Sequence, residues 1–497
     1  IVSGVADYSA GAMAEKHDEL QSYIERLKAI DDTSWPVSER VDYMLVLAEM
    51  RAMDFQHRVV QPWKKDPAFY SVTNLGFGPK AHGAFAVPQL PLSAKEAGSL
   101  EGKLKAVPLL LSEARNNLTD ARGDLARLAI SQKKIERNVF RHLAEDTQGK
   151  HPEVSATAFL ALRAVEDFIE WLEAVEASLP PHAGIGKENY NWYLRYVLLF
   201  PYTWDEMYTL GAREYQRSLA FLKMEEHRHR KIPMLEPVTT RAEFDVQRAN
   251  ADSDLLRFLA NENILTIPEF LVTDPNEGPY ILPADRDPDL PGLFEHPIKR
   301  HFFFEAEHRD ARPLRAHNVP GHLFDALLHQ RDERPVRGQK RLFFVDGIRA
   351  EGWAFYLEEL IQQTGFLSNR PKAREINYIL QTKRAARVIP ELEMHANKWV
   401  YKDAFEHLVS HTPYWMGPDD AIAKFDIELY LRQPGYGIGY YIGKLELEKL
   451  LAERAAQLGS DFNLKQFHDS FLAAGRIPIS LIRWELTGYD DEMRTMR

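Results

Sequence analysis

Two stretches of the sequence decide the fold and the chemistry: Arg315-Ala316-His317-Asn318-Val319-Pro320-Gly321-His322 and Glu351-Gly352-Trp353-Ala354-Phe355-Tyr356-Leu357-Glu358. They bring two imidazoles and two carboxylates into a region of helical patterns that continues to the C-terminus. Imidazole and carboxylate groups are the usual ligands of catalytic zinc and the usual general acids and bases of enzymes. These stretches are therefore the first candidate for a functional site.

Upstream, apolar residues recur at helical spacing. A first series of apolar residues and a second helical pattern over residues 39–55 together predict a helical hairpin at the N-terminus. The members of the first series are Leu20, Tyr23, Ile24, Leu27 and Ile30. Three further long helices are predicted over residues 100–114, 119–143 and 153–179. The last carries an apolar stripe interpreted as core, namely Phe159, Leu162, Val165, Ile169, Leu172 and Val175.

The helical pattern is interrupted between Asp274 and Gly292, where five prolines prevent a regular helix. The run His301-Phe302-Phe303-Phe304 then predicts a short strand. We expect a mostly α-helical fold with a small β-sheet near residues 280–305. The chain is predicted to form one large domain over residues 1–497, or two lobes of about 1–270 and 271–497.

Composition restricts the partners. The chain has 497 residues and a formal net charge of -11, so its overall charge gives no sign of nucleic-acid binding. It lacks an apolar run long enough to span a membrane. It contains no cysteine, which excludes disulfides and thiolate metal sites. We expect a soluble protein of the cytoplasm or periplasm that binds a small molecule rather than nucleic acid or membrane; homo-oligomer formation stays open.

The two stretches resemble the bacterial Domain of Unknown Function 885 family. Its pattern is roughly His-Glu-x-x-Pro-Gly-His followed by Glu-Gly-Trp-Ala, and Val319-Pro-Gly-His322 and Glu351-Gly-Trp-Ala354 match it. Further matches lie at Gly186–Tyr190, Thr203–Glu206, Glu428–Tyr430, Gln433–Gly435, Tyr440–Gly443, Phe467–Asp469 and Gly475–Pro478, so the resemblance covers nearly the whole chain. It implies a zincin-like fold around a deep cleft, grouped with gluzincin metallopeptidases, whose motif supplies two His and one Glu ligand and a Glu base.

This chain departs from the family pattern where the chemistry lies. Without a gap, Ala316 falls at the first zinc-binding His and His317 at the catalytic Glu, and Tyr436 stands where the family usually has Gln. Catalytic zinc normally has three protein ligands, so His322 and Glu351 alone would be a weak site. His317 would complete the set only if a helical bulge brought it to His322, because residues five apart on an ideal α-helix point about 140° apart.

The resulting prediction is a metal-independent acid/base enzyme without cofactor, most naturally a lyase acting on a small organic molecule. His317, Glu351, Tyr440 and His322 are its predicted catalytic residues. Tyr436, His395, Trp353 and Arg315 are its predicted substrate contacts. The alternatives are a zinc-dependent hydrolase or peptidase with shifted ligands His317, His322 and Glu351, and an inactive binding protein.

Two other groups of charged residues are interpreted as structural. The basic run Glu226–Lys231 is typical of a solvated helix end. In a strand, His301, Glu305 and Glu307 would lie on one face and His308 on the other, so these four residues are not expected to bind one metal ion.

Overall fold

The computed structural model describes residues 6–73, 81, 90–274, 282, 286–290, 301–343 and 345–496. Helices α1–α9 are Ala10–Lys28, Val37–Phe55, Pro62–Lys65, Ala94–Asn117, Gly123–Thr147, Pro152–Val175, Lys187–Tyr196, Trp204–Arg228 and Arg241–Asn261. Helices α10–α15 are Phe302–Arg309, Arg312–Ala316, Phe324–Gln330, Gly347–Gln363, Pro371–Ala385 and Val388–His395. Helices α16–α21 are Tyr401–His411, Ala421–Arg432, Tyr436–Leu458, Leu464–Ala473, Ile479–Thr487 and Asp491–Met496.

The mostly helical fold predicted from the sequence is confirmed. The N-terminal hairpin is formed by α1 and α2, and the three long helices predicted next are α4, α5 and α6. Leu162, Val165, Ile169 and Leu172 are buried as the stripe on α6 requires, whereas Phe159 is 42% exposed. The basic run lies at the exposed end of α8, as predicted.

The predicted strand at His301–Phe304 is wrong, and the small β-sheet predicted near residues 280–305 is not supported. No sheet occurs in the described part of the chain, and the run His301–Phe304 begins helix α10. A short aromatic run fits a strand or a buried helix equally well, and the capping groups decide between them. The His301 ring accepts the Phe304 N–H at 3.4 Å, and the Asp420 carboxylate accepts the Phe302 N–H at 2.9 Å. The proline-rich residues 275–281, 283–285 and 291–300 lie outside the described residues.

Helix α13 is the centre of the fold. Its residues 347–362 are all buried, and its buried charged side chains are Arg349, Glu351, Glu358 and Glu359. Buried charges are tolerated only when other groups compensate them, so this helix fixes polar partners around itself. The apolar cluster around it contains residues between Val41 and Met496, from both of the two predicted lobes, 1–270 and 271–497. The prediction of one domain or two lobes is not decided by this cluster and stays a prediction.

Helices α13 and α18 pack with their backbones in contact. A Cβ on Gly352 would lie 2.5 Å from the carbonyl carbon of Gly443, and a Cβ on Gly443 would overlap the carbonyl oxygen of Ile348. Only glycine permits this approach. The contact sets Glu351 on α13 beside the tyrosines near the start of α18.

Candidate functional site

A π-helical turn, His317–Leu323, joins α11 to α12. In a π-helix each hydrogen bond joins residues five apart, so positions i and i+5 come to the same side. Pro320 favours the wider turn because it lacks an N–H and its ring would clash with the carbonyl four residues earlier in an α-helix. The Trp353 indole donates to the Pro320 carbonyl at 3.1 Å and fixes this turn against α13.

The π-turn brings the two histidines together. The Nε2 atoms of His317 and His322 lie 3.0 Å apart, and the Glu351 Oε2 lies 3.7 Å from the first and 3.4 Å from the second. His317 and Glu351 are buried, whereas the His322 side chain is 38% exposed. Among the described residues this is the one group of three His, Asp or Glu side chains with converging ligand atoms. The site is therefore reached from the side of His322.

Glu358 orients His317 through the Nδ1 side of its ring. Its Oε1 lies 2.9 Å from His317 Nδ1, and its carboxylate also pairs with the Arg384 guanidinium. The Arg384 guanidinium also lies 3.4 Å from this Nδ1. With the proton on Nδ1, facing the Glu358 carboxylate, the Nε2 lone pair faces Glu351. Burial and then the positive charge of Arg384 hold the pKa of His317 well below its usual value. Burial raises the pKa of Glu358, and Arg384 opposes that rise.

Glu351 is held in the ionised form. Its Oε1 accepts a hydrogen bond from the Tyr436 hydroxyl at 2.6 Å. Burial alone would raise the pKa of Glu351, but the neighbouring His322 and His317 imidazoles and the Tyr436 hydroxyl lower it to about 2. Its Oε2, in contrast, is buried and makes no well-directed hydrogen bond; the nearer imidazole nitrogen, His322 Nε2, lies 3.4 Å away. A buried carboxylate oxygen without a donor is unfavourable unless a ligand satisfies it.

Two tyrosines of α18 border the site. Tyr436 and Tyr440 are one turn apart, and the guanidinium groups of Arg387 and Arg384 lie over the Tyr440 ring at 4.5 and 5.1 Å. Burial raises the pKa of both phenols well above the usual value, so both stay protonated. The Tyr436 hydroxyl donates its one proton to Glu351, so Tyr440 is the phenol whose hydroxyl is left to donate at the site.

Glu391 fixes the start of α18. Its carboxylate accepts the Gly435 and Ile438 backbone N–H groups and the Tyr190 hydroxyl, the last at 2.7 Å. Negative charge at a helix N-terminus is stabilised by the unpaired N–H groups there. Glu391 thereby holds the turn from which the Tyr436 side chain reaches Glu351.

The three ligand atoms fit a divalent metal ion. A tetrahedral zinc site with bonds of about 2.0–2.1 Å separates its ligand atoms by about 3.3–3.4 Å, and the observed separations are 3.0, 3.4 and 3.7 Å. The donor set of two imidazoles and one carboxylate also suits zinc. One ion would satisfy the Glu351 Oε2 and the His317 lone pair together.

Three predicted substrate contacts make hydrogen bonds within the protein. His395 is buried, and its Nε2 donates to the Tyr430 carbonyl at 2.9 Å. Trp353 is 0% exposed and supports the π-turn. Arg315 pairs with both carboxylate oxygens of Asp252 at 2.6 and 2.8 Å. Tyr436, in contrast, is partly exposed and contacts Glu351 directly.

Sequence reasoning missed Glu358, Arg384 and Glu391. Glu358 was recoverable, because it follows Glu351 by seven residues, two helical turns, and so lies on the same face of α13. Arg384 and Glu391 reach the site only through packing of α14 and α15, and no local pattern marks them. The group His301, Glu305, Glu307 and His308 lies on α10 and forms no metal-binding set among the described residues.

The fold and site define a multi-helical protein whose central buried helix and adjoining π-turn bring two histidines and a glutamate together. The family model for bacterial proteins of unknown function, DUF885, matches residues 3–486, and the chain belongs to this family. The family resemblance predicted from the motifs is thereby confirmed. The grouping with gluzincin metallopeptidases stays a prediction.

Two solved structures share the fold. A candidate lipoprotein of unknown function from Shewanella oneidensis has a TM-score of 0.71 at 17% identity, over 97% of this chain and 94% of the other. A candidate lipoprotein from Colwellia psychrerythraea has a TM-score of 0.69 at 17% identity, over 97% and 91%. No curated protein sequence matches the chain. Within the described residues, no helix is both long and apolar enough to cross a membrane.

Proposed function

We propose that the chain is a metal-dependent hydrolase of an organic substrate and that His317, His322 and Glu351 hold the metal ion. The observation that carries this proposal is the triangle of ligand atoms, with sides of 3.0, 3.4 and 3.7 Å, around an otherwise unsatisfied carboxylate oxygen. The proposal adopts the alternative in which the zinc ligands are shifted to His317, His322 and Glu351. That alternative requires a helical bulge, and the π-turn supplies it. His317 then replaces the ligand lost at Ala316.

The residues around the triangle have distinct roles. Zinc in such a site polarises a substrate carbonyl and makes water a nucleophile near neutral pH. Glu358 keeps the proton on His317 Nδ1, which directs the Nε2 lone pair to the site. Tyr440 stays protonated and donates a hydrogen bond to charge that develops on the substrate oxygen, while the Tyr436 hydroxyl donates to Glu351.

The missing carboxylate at position 317 restricts the chemistry. In the family pattern a glutamate there would serve as general base, and here the same position carries an imidazole that lies in the triangle. The described residues place no second free carboxylate against the triangle, since Glu358 is paired with Arg384. We therefore expect activated carbonyl substrates, such as esters, to react faster than unactivated amides.

A second candidate function is metal-independent elimination by a lyase. It is favoured by the 3.0 Å separation of the two Nε2 atoms, which also suits a hydrogen bond from His322 to His317. In that account His317 is the base, Tyr440 is the proton donor and Glu351 orients His322. With the His322 Nε2 proton directed at His317, the buried Glu351 Oε2 has a 3.4 Å contact with His322 but no hydrogen bond, and for that reason the hydrolase is preferred.

One experiment separates these functions. The protein is purified without added metal, and turnover of an ester panel and of an elimination panel is followed before and after treatment with a chelator. The hydrolase predicts ester turnover that a chelator abolishes and zinc restores. Elimination that resists the chelator would establish the lyase, and no turnover in either panel would favour the inactive binding protein.

A further inference from the structure

A cavity of about 260 Å³ is bordered by helix α3, the end of α17 and the segment 182–185 that precedes α7. None of His317, His322 and Glu351 belongs to its lining. The cavity is therefore separate from the proposed metal site. We call it the Lys65 cavity, after the lysine of α3 in its wall.

The Lys65 side chain has no carboxylate partner within the described part of the chain. Its Nζ donates to the Val59 carbonyl at 2.6 Å, and an ammonium group has three N–H donors. Burial lowers the pKa of Lys65, and the negative charge of Asp120 offsets that effect only in part. Lys65 is partly exposed and lines the cavity. Because an uncompensated ammonium is not withdrawn from solvent, its other donors face this open space.

The charges at the α17 side of the cavity are compensated. The Arg432 guanidinium donates to Asp66 through Nε at 2.7 Å and through Nη2 at 3.3 Å, and its Nη1 donates to Glu428. Asp66 and Arg432 both line the cavity, whereas Glu428 does not. Neither the guanidinium nor the Asp66 carboxylate is therefore left to pair with a ligand.

The other cation of the lining is also paired. The Arg122 Nη2 donates to both carboxylate oxygens of Asp120 at 2.7 Å. Lys65 thus contributes the one positive charge of the lining that lacks an ion pair among the described residues. One negative charge on a ligand would balance it, and a second negative charge would have no counter-charge.

Most of the remaining wall is apolar. It includes the side chains of Val59, Val60, Leu125, Ile185 and Leu431. Ligand sites combine such walls with a few polar groups that fix orientation, in volumes of about 300–1,000 Å³ for drug-sized ligands. This cavity is slightly smaller, so it suits a small molecule with an apolar body and one negative charge.

We propose that the Lys65 cavity binds a small monocarboxylate that carries an apolar substituent. The ligand carboxylate pairs with the Lys65 ammonium and supplies the counter-charge that the protein does not provide. The substituent lies against the apolar wall and keeps water from the ion pair, which strengthens the charge-assisted hydrogen bond. This site does not depend on metal binding by His317, His322 and Glu351.

Four probes test the proposal by binding. Benzoate is an apolar monocarboxylate, benzamide is its neutral counterpart, acetate lacks the ring, and phenyl phosphate carries more negative charge near neutral pH. Dissociation constants are measured by ligand-observed NMR titration of the full chain, with a chelator present so that no metal ion binds the carboxylate. We expect benzoate to bind at least about tenfold more tightly than benzamide or acetate. Equal binding of benzoate and benzamide, no saturable benzoate binding, or tighter binding of phenyl phosphate would overturn the proposal.

Variants assign the binding to this cavity. Lys65→Met removes the charge, so it should weaken benzoate about tenfold or more and leave benzamide unchanged. Lys64→Met is the matched control, because Lys64 precedes Lys65 in α3 but does not line the cavity. Val60→Ala removes part of the apolar wall and should weaken both ligands. Benzoate binding that survives Lys65→Met, or that Lys64→Met weakens equally, would refute the proposal.

Melting curves separate loss of the site from loss of the fold. Saturating benzoate should raise the melting temperature of the wild type and of Lys64→Met, because a ligand of the folded state stabilises it, and should not raise that of Lys65→Met. Lys65→Gln keeps a donor for the Val59 carbonyl and is the second variant, which should lose benzoate in the same way. An equal benzoate-induced rise in the wild type and in either Lys65 variant would contradict the proposal.

Discussion

The Nε2 atoms of His317 and His322 lie 3.0 Å apart although five positions separate the two residues in the chain. On a regular α-helix these side chains would point apart, and the π-turn around Pro320 brings them to one side. In the proposed site the turn places the two histidines at a shorter spacing than the family resemblance implies for its zinc ligands. It therefore determines whether this chain can bind a metal ion.

Replacing Pro320 by alanine should weaken metal binding without unfolding the protein. Alanine allows a regular α-helix through the turn and so favours the register in which His317 and His322 separate. We expect a loss of metal affinity of at least tenfold, measured by competition with a chromogenic chelator, with an unchanged or higher melting temperature. Pro108→Ala, inside α4 and outside the site, is the matched control and should leave metal affinity unchanged.

Replacing Glu358 by glutamine should lower metal affinity by about 10–100-fold, the range for losing a carboxylate that orients a ligating histidine. Glutamine keeps the shape but removes the charge that fixes the proton on His317 Nδ1. The neighbouring Glu359 pairs with Lys444 instead, so Glu359→Gln controls for the loss of a buried charge. Equal effects of the two variants would contradict the orienting role of Glu358.

The sequence predicts the helices well because their apolar residues repeat with helical spacing over many turns. It fails at His301–Phe304, since four residues are too few to distinguish a strand from a capped helix. The sequence does identify His317, His322, Glu351 and Tyr436, which the structure brings together. It cannot identify Arg384 or Glu391, because their contacts depend on how α14 and α15 pack, and local patterns carry no such information.

The glycine contact between α13 and α18 should not tolerate a side chain. Gly352→Ala places a Cβ about 2.5 Å from the Gly443 backbone, so we expect the free energy of unfolding to fall by about 1–3 kcal/mol. Gly102→Ala, within α4, has no atom within 4 Å of the new Cβ and should raise that free energy by up to about 1 kcal/mol. Urea unfolding measures both; a tolerated Gly352→Ala would show that the helices can separate.

Acid should destabilise the fold through His395. Burial lowers the pKa of His395 to about 4, whereas an unfolded histidine has a pKa of about 6.5. Between these two pKa values the unfolded state binds more protons than the folded state. The stability that neutral His395 contributes is therefore present above about pH 6.5 and is lost as the pH falls toward 4.

His395→Gln removes this titration and keeps a donor for the Tyr430 carbonyl. Between pH 6.5 and 4.5 the free energy of unfolding should fall further in the wild type than in His395→Gln, by up to about 3 kcal/mol. His227→Gln, at the exposed end of α8, should follow the wild-type curve. Parallel curves for His395→Gln and the wild type would rule out a buried neutral His395.

The central claim is that His317, His322 and Glu351 form one metal site, and elemental analysis of the purified protein and its variants tests it most directly. We expect about one zinc ion per chain after dialysis against zinc, lost in His317→Ala, His322→Ala and Glu351→Ala and retained in His301→Ala. The claim would be contradicted by folded wild-type protein that retains no zinc, or by zinc that persists in all three ligand variants.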